Sequence, residues 1–216
     1  MEELEGSELG TKEYWDTSYK NELKNYKSHG DVGEIWFDED SQLRILNWIL
    51  KQNINTNSKI IDVGCGNAMF MIELAREGYK CLTGIDYSYN AIKLGTSIAK
   101  DQNIDIDFHL IDMLNTDDVN KLGKFDIVHD KGTYDAISLH PDNPKVKREK
   151  YIENISAITN RSGFFIITSC NWTETELINT FQSHFAKFCA IPTPSFKFGG
   201  KVGNVVSSIV FSPKVL

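Results

Sequence analysis

The stretch Lys59-Ile60-Ile61-Asp62-Val63-Gly64-Cys65-Gly66-Asn67-Ala68 decides how the rest of the chain is read. Its run from Lys59 to Val63 suits a strand buried on both faces. The glycines that follow let the backbone turn tightly and approach a ligand with no Cβ in the way. Ala68 to Glu77 continues as a helix closed by Gly78. Working outward, Cys81 to Ile85, Ile104 to Ile111, Phe125 to His129, Gly163 to Thr168 and Val205 to Phe211 read as further strands. Between them Ser88 to Lys100 reads as a helix capped by Ser88. Lys147 to Thr159 forms another, with Tyr151, Ile152, Ile155 and Ile158 on one stripe, and Thr173 to Phe185 a third. Upstream, Leu43, Leu46, Ile49 and Leu50 recur at helical spacing and predict a helix with Asp38 or Ser41 as cap. Such alternation implies an α/β fold: a doubly wound, mostly parallel sheet with helices on both faces, joined by right-handed crossovers. Ligands of such sheets bind outside the carboxyl ends of the strands. Residues 38–216 are expected to form one domain, and residues 1–37 an N-terminal extension that covers the site rather than a core element.

Composition narrows the function classes. The chain has 216 residues, 41% hydrophobic and 25% charged, enough for a sizeable core and against a disordered chain. No run reaches the ~18–20 apolar residues of a membrane span. The start Met1-Glu2-Glu3-Leu4-Glu5 is the reverse of a basic signal peptide, so a soluble protein of the cytoplasm or nucleus is expected. A net charge of −7 disfavours nucleic acid and suits a basic protein partner. Cys65, Cys81, Cys170 and Cys189 form no Cys-x-x-Cys pair and read as buried reduced thiols. The five histidines lack metal-ligand spacing, so no metal is expected.

A lone Gly-x-Gly is explained equally by an ordinary turn. Here Asp86 follows Gly64 by 22 residues at the end of the second strand, where a carboxylate can accept two hydrogen bonds from a ribose diol. An acidic helix-start residue is the alternative. A dinucleotide fingerprint wants a third Gly or Ala where this chain has Met69. Asp62, just before the loop, would repel a pyrophosphate and attract an ammonium or sulfonium. S-adenosylmethionine carries both cations and no phosphate. Asp112 then suits the adenine amino group and Met113 the ring face, although a solvated loop acid is the plain reading of Asp112.

The pattern resembles the class I, seven-stranded S-adenosylmethionine-dependent methyltransferases. Within them the chain is similar to the protein-lysine methyltransferases that modify elongation factor 1-alpha, the methyltransferase-like 10 group. The resemblance is carried by Trp36-Phe37, the loop Asp62 to Asn67, Gly84 to Ser88, Asp130-Lys131-Gly132-Thr133-Tyr134-Asp135-Ala136-Ile137-Ser138-Leu139, Ile167-Thr168-Ser169-Cys170-Asn171-Trp172, and Phe198-Gly199-Gly200. Cys65 and Ala68 depart from the family's loop, and the first thirty residues match loosely. The resemblance implies transfer of a methyl group from S-adenosylmethionine to a lysine of elongation factor 1-alpha, leaving S-adenosylhomocysteine, by a monomer. It implies cofactor contacts from Trp36, Asp62, Gly64, Cys65, Gly66, Asn67, Asp86, Tyr87, Asp112, Met113 and Asp130. Asp130 and Tyr134 would be catalytic, and Asn171, Trp172, Gly199 and Gly200 would contact substrate.

A lysine nucleophile is protonated at neutral pH, with a reference pKa of about 10.4, so its site must desolvate it beside the cationic sulfonium and orient the neutral amine. Asp130, at the end of the fourth strand, is the candidate orienting acceptor, and Tyr134 offers a ring or hydroxyl. The alternative makes Asp130 a cap of the next turn, with Lys131 its exposed ion-pair partner and Tyr134 a core residue. Asn171 and Trp172 face the same rim or form a capping amide beside a buried ring. Trp36-Phe37 either closes over the cofactor or acts as a hydrophobic staple. Phe198-Gly199-Gly200-Lys201 reads as a lip at the entrance or a plain turn. Lys145, Lys147, Arg148 and Lys150 read as the solvated face of a helix.

Overall fold

Branched and aromatic side chains buried on both faces put five strands at the centre of the sheet. These are β1 (Lys59–Val63), β2 (Cys81–Asp86), β4 (Phe125–Lys131), β5 (Thr159–Ser169) and β9 (Ser207–Pro213). The shorter β3 (Asp107–Leu110) and the bulged β6 (Phe185–Ile191) form its edges. The computed structural model describes residues 3–198 and 201–214. Strand order is β3-β2-β1-β4-β5-β9-β6. Among the described residues of this sheet, β9 alone runs against its neighbours. The order therefore reverses between β1 and β4, and the diverging crossovers open a crevice at their carboxyl ends. β7 (Ser195–Phe198) and β8 (Lys201–Asn204) form a separate antiparallel pair. Among the described residues no helix is long and apolar enough to cross a membrane.

One face of the sheet is covered by α2 (Asp38–Lys51), α3 (Met69–Arg76) and α4 (Tyr89–Asp101), through Ile45, Ile49, Phe70 and Leu94. The other is covered by α6 (Thr133–Ser138), α7 (Pro144–Ile158) and α8 (Glu174–Phe181), where Tyr134, Tyr151, Phe165 and Phe181 build an aromatic core. A short α5 (Thr116–Val119) follows β3.

Several elements differ from the sequence expectation. The extension contains an 18-residue helix, α1 (Lys12–His29), capped by Thr11 and ended by Gly30 at φ 79°. Its Leu23 joins the core, and the helix packs on α4. The signal was a stripe of Trp15, Tyr19, Leu23 and Tyr26 at helical spacing, hidden among many charges. The helix expected to reach Phe185 stops at Phe181, and the chain then forms β6, the seventh strand. The third strand is four residues long rather than eight. Ser88 precedes α4, but the side chain that takes its N–H is Asp86. Of the four thiols only Cys65 is buried, and all four are free.

Candidate active site

The crevice is walled by the segments that leave β1, β2, β3 and β4. Gly64 and Gly66 hold φ 68° and 53°, left-handed values that favour glycine. A Cβ on Gly64 would overlap the Thr133 hydroxyl, and one on Gly66 the Tyr19 hydroxyl. The Cys65 N–H donates to Ile85 O at 2.9 Å, tying the loop to β2, and burial pushes the Cys65 thiol well up. Asp86 accepts from the N–H groups of Gly66 (3.1 Å) and Ser88 (2.8 Å). Burial raises its carboxyl to about 6, and those two bonds oppose the rise. Tyr87 and the exposed Asp112 line the same wall, with Asp112 accepting from Leu114 N at 2.8 Å. Met113, with Ile111 and Leu114, supplies an apolar floor.

The other wall is built largely from the N-terminal segment. Asn67 donates to the carbonyls of Val32 and Glu34, both at 3.1 Å, and so pins that segment to the glycine loop. The Trp15 and Trp36 rings meet at 4.7 Å, and Trp15 Nε1 donates to Leu9 O at 2.7 Å. Phe37 and Asp38 carry φ 60° and 67°, a strained pair for residues with side chains. This turn presents Trp36 to the crevice and packs Trp36 and Phe37 on Gly132. Lys131 runs to the Trp36 carbonyl at 2.8 Å, so it is neither exposed nor an ion-pair partner of Asp130. Its burial lowers the ammonium pKa, against the nearby charges of Asp62, Asp130 and Asp38. The segment then spans the crevice. On one bank Ser7 N donates to Leu139 O (2.9 Å) and Glu3 pairs with Arg148; on the other Asn90 donates to Asp16 O (3.1 Å).

Asp130, Tyr134, Asn171 and Trp172 do not line this crevice. Asp130 is fully buried and accepts from Thr133 N and Tyr134 N, both at 3.0 Å, and from the Tyr151 hydroxyl. Burial raises its carboxyl to about 7, with the Tyr151 bond the main opposing influence. This is the cap geometry that the sequence left as an alternative. Tyr134 packs among Tyr151, Trp172 and Phe181 in the core. Trp172 is buried and donates to Ser138 Oγ at 3.1 Å, beneath the Arg148 guanidinium. The half-buried Asn171 donates its N–H to Ser169 Oγ at 3.2 Å. Ser169 and Cys170 N in turn donate to Asp135, which clamps α6 to the end of β5. Gly199 and Gly200 lie outside the described residues. The basic cluster of α7 is no uniform solvated face: Arg148 is buried, while Lys147 contacts His140 and Lys150 pairs with Glu153.

Asp62 also stays off the crevice surface: its carboxylate meets His129 Nδ1 at 2.7 Å behind the glycine loop. The crevice gathers residues that the sequence did not mark as site residues, among them Gly10, Lys12, Trp15, Tyr19, Glu34, Lys131 and Thr133. Those before residue 37 carried no motif, and the only usable signal was the aromatic stripe of α1.

A glycine-cradled crevice beside a buried carboxylate, on a sheet in which, among the described residues, only the last strand along the chain is reversed, defines a class I methyltransferase fold. The chain aligns over 99% of its length with all of a solved S-adenosylmethionine-dependent methyltransferase from Anabaena variabilis, at a TM-score of 0.68 and 14% identity. Residues 54–205 match the model of a methyltransferase domain, so the chain belongs to that methyltransferase family. It is 47% identical to EEF1A lysine methyltransferase 2 of Danio rerio, covering 97% of this chain and 90% of that protein. It is 36% identical to protein-lysine N-methyltransferase EFM4 of Saccharomyces cerevisiae, covering 97% and 96%.

Proposed function

We propose that this protein transfers a methyl group from S-adenosylmethionine to a lysine ε-amine of elongation factor 1-alpha. The observation that carries the reading is the near-full-length similarity to EEF1A lysine methyltransferase 2, which extends through the N-terminal segment that walls the crevice. The donor set fits the cofactor. Asp86 spends one hydrogen bond per oxygen on the backbone and keeps lone pairs for a ribose diol. Gly64, Cys65, Gly66 and Asn67 let the backbone approach closely. Asp112 suits the adenine amino group, with Met113 and Tyr87 beside the ring and Trp36 over the opposite end. Bound there, S-adenosylmethionine supplies an electrophilic methyl on a cationic sulfur.

The chain's residues would then desolvate and align the amine. Trp15 and Trp36 exclude water, which favours the neutral amine over its ammonium. Asp130 supports this end from beneath: its two backbone bonds fix the turn that brings Lys131, Gly132 and Thr133 to the crevice.

The test is incubation of the purified protein with elongation factor 1-alpha and methyl-labelled S-adenosylmethionine, followed by mass spectrometry of peptides. Label on a lysine of the factor is expected. Label confined to RNA or a small molecule would reject the substrate.

A further inference from the structure

Strand register sets two opposite charges on either side of the glycine loop. Val63 of β1 pairs with Ile85 of β2 and with Asp130 of β4, so one residue further on Asp86, Gly64 and Lys131 stand side by side. Asp86 and Lys131 are the last residues of β2 and β4, and all three line the crevice. At about 4.8 Å per strand spacing, the Asp86 and Lys131 backbones lie roughly 10 Å apart. Lys131 is half-buried, and its Nζ donates to the Trp36 carbonyl at 2.8 Å. That is one acceptor for the three N–H donors of an ammonium, and among the described residues Lys131 forms no ion pair.

The other lysines at the crevice are engaged elsewhere. Lys12 lies over the ring of Tyr87, the residue after β2, and Lys147 Nζ meets His140 Nε2 at 2.9 Å on the α7 side. Burial disfavours the Lys131 ammonium, with Asp62, Asp130 and Asp38 opposing from beyond ion-pair distance. An anion that brought oxygens to the two remaining donors would offset that cost, because charge-assisted hydrogen bonds are the strong ones. The cofactor reading supplies such an anion. Asp112, after β3, takes the adenine, and Asp86, after β2, takes the ribose. The strand order β3-β2-β1-β4 then leaves the amino-acid arm only the side of β1 and β4 to run to. That arm crosses Gly64 towards Lys131 and ends in a carboxylate.

We propose that Lys131 binds the α-carboxylate of S-adenosylmethionine, through the N–H donors that the Trp36 carbonyl leaves over. The proposal rests on the cofactor reading above. It also ties the shape of the crevice to its occupancy. One ammonium holds both the cofactor's carboxylate and the carbonyl of the turn that carries Trp36, so an occupied site keeps that turn against β4, where Trp36 and Phe37 pack on Gly132.

Calorimetry on the full chain tests it, with S-adenosylmethionine and with decarboxylated S-adenosylmethionine, which lacks only that carboxylate. Wild-type protein is expected to prefer the intact cofactor roughly tenfold, the scale of one charge-assisted contact. Lys131→Met should abolish the preference by weakening the intact cofactor alone. If the methionine variant fails to fold, Lys131→Gln, which keeps a donor for the Trp36 carbonyl without the charge, carries the same comparison. Three results overturn the carboxylate contact and leave the cofactor reading intact: a wild type without the preference, a preference that survives in the variant, or equal weakening of both ligands, which is what a role confined to the Trp36 turn would give. Wild-type protein that binds neither ligand overturns both.

Discussion

Two buried carboxylates at the carboxyl ends of β2 and β4, the strands that flank β1, behave differently. Asp86, at the end of β2, accepts two backbone N–H bonds, one on each oxygen, and borders the crevice. Asp130, near the end of β4, accepts two backbone N–H groups and the Tyr151 hydroxyl, and faces the aromatic core away from the crevice. Donors supplied from inside the fold decide which carboxylate remains available to a ligand. A carboxylate whose lone pairs are taken up by its own turn is a structural clamp, however close it stands to the reacting end.

Removing Asp130 should therefore have the largest effect on stability. Asp130→Ala strands two N–H groups and a hydroxyl, a loss of roughly 3–5 kcal/mol. At about 2–4 °C per kcal/mol for a chain of this size, thermal unfolding should shift down by roughly 6–20 °C. A variant that melts like wild type but loses turnover would instead return Asp130 to the chemistry. Asp86→Ala is the mirror case. It should weaken S-adenosylmethionine binding by about 1.5–3 kcal/mol in calorimetry, and because it strands two backbone N–H groups where Asp130→Ala strands two and a hydroxyl, it should lower melting by less than that variant does. Gly64→Ala forces both a left-handed backbone and an overlap with Thr133, so both melting and cofactor affinity should fall.

The same comparison has a pH signature. Burial raises the Asp130 carboxyl to about 7, above its value in an unfolded chain. As pH climbs from about 4 towards 7 the unfolded chain therefore loses this proton first, and the folded state loses stability relative to Asp130→Asn. Above about 7 the difference should level off. Chemical denaturation of both proteins across that range checks the sign, and a difference that grows in favour of wild type would contradict it. The smallest effect is expected from Asn171→Ala. Its side chain lies off the crevice, so melting should change within about 0.5 kcal/mol, and a large rise in KM for the protein substrate would place it at the rim after all.

The glycine-loop wall of the crevice was legible in the sequence because its geometry is local. A glycine that must hold positive φ, and an acid at a fixed interval where a strand ends, are set by residues within one strand-turn-helix unit. Gly64, Gly66 and Asp86 could thus be placed without knowing what packs around them. The block from Asp130 to Leu139 is equally distinctive, but its residues serve contacts distant in sequence. Tyr151 reaches Asp130, and Ser169 and Cys170 reach Asp135. Motif strength alone could not separate binding from clamping.

The sequence by itself determined the alternation of strands and helices, the glycine loop and the acid that follows it, since these express local backbone preference and periodic burial. The tertiary structure decided which acids remain open to a ligand. It also brought Trp15 and Tyr19 of α1 to the crevice and paired Asp62 with His129. Each of those outcomes depends on a partner 20 to 67 residues away, so no reading of neighbours along the chain could supply it.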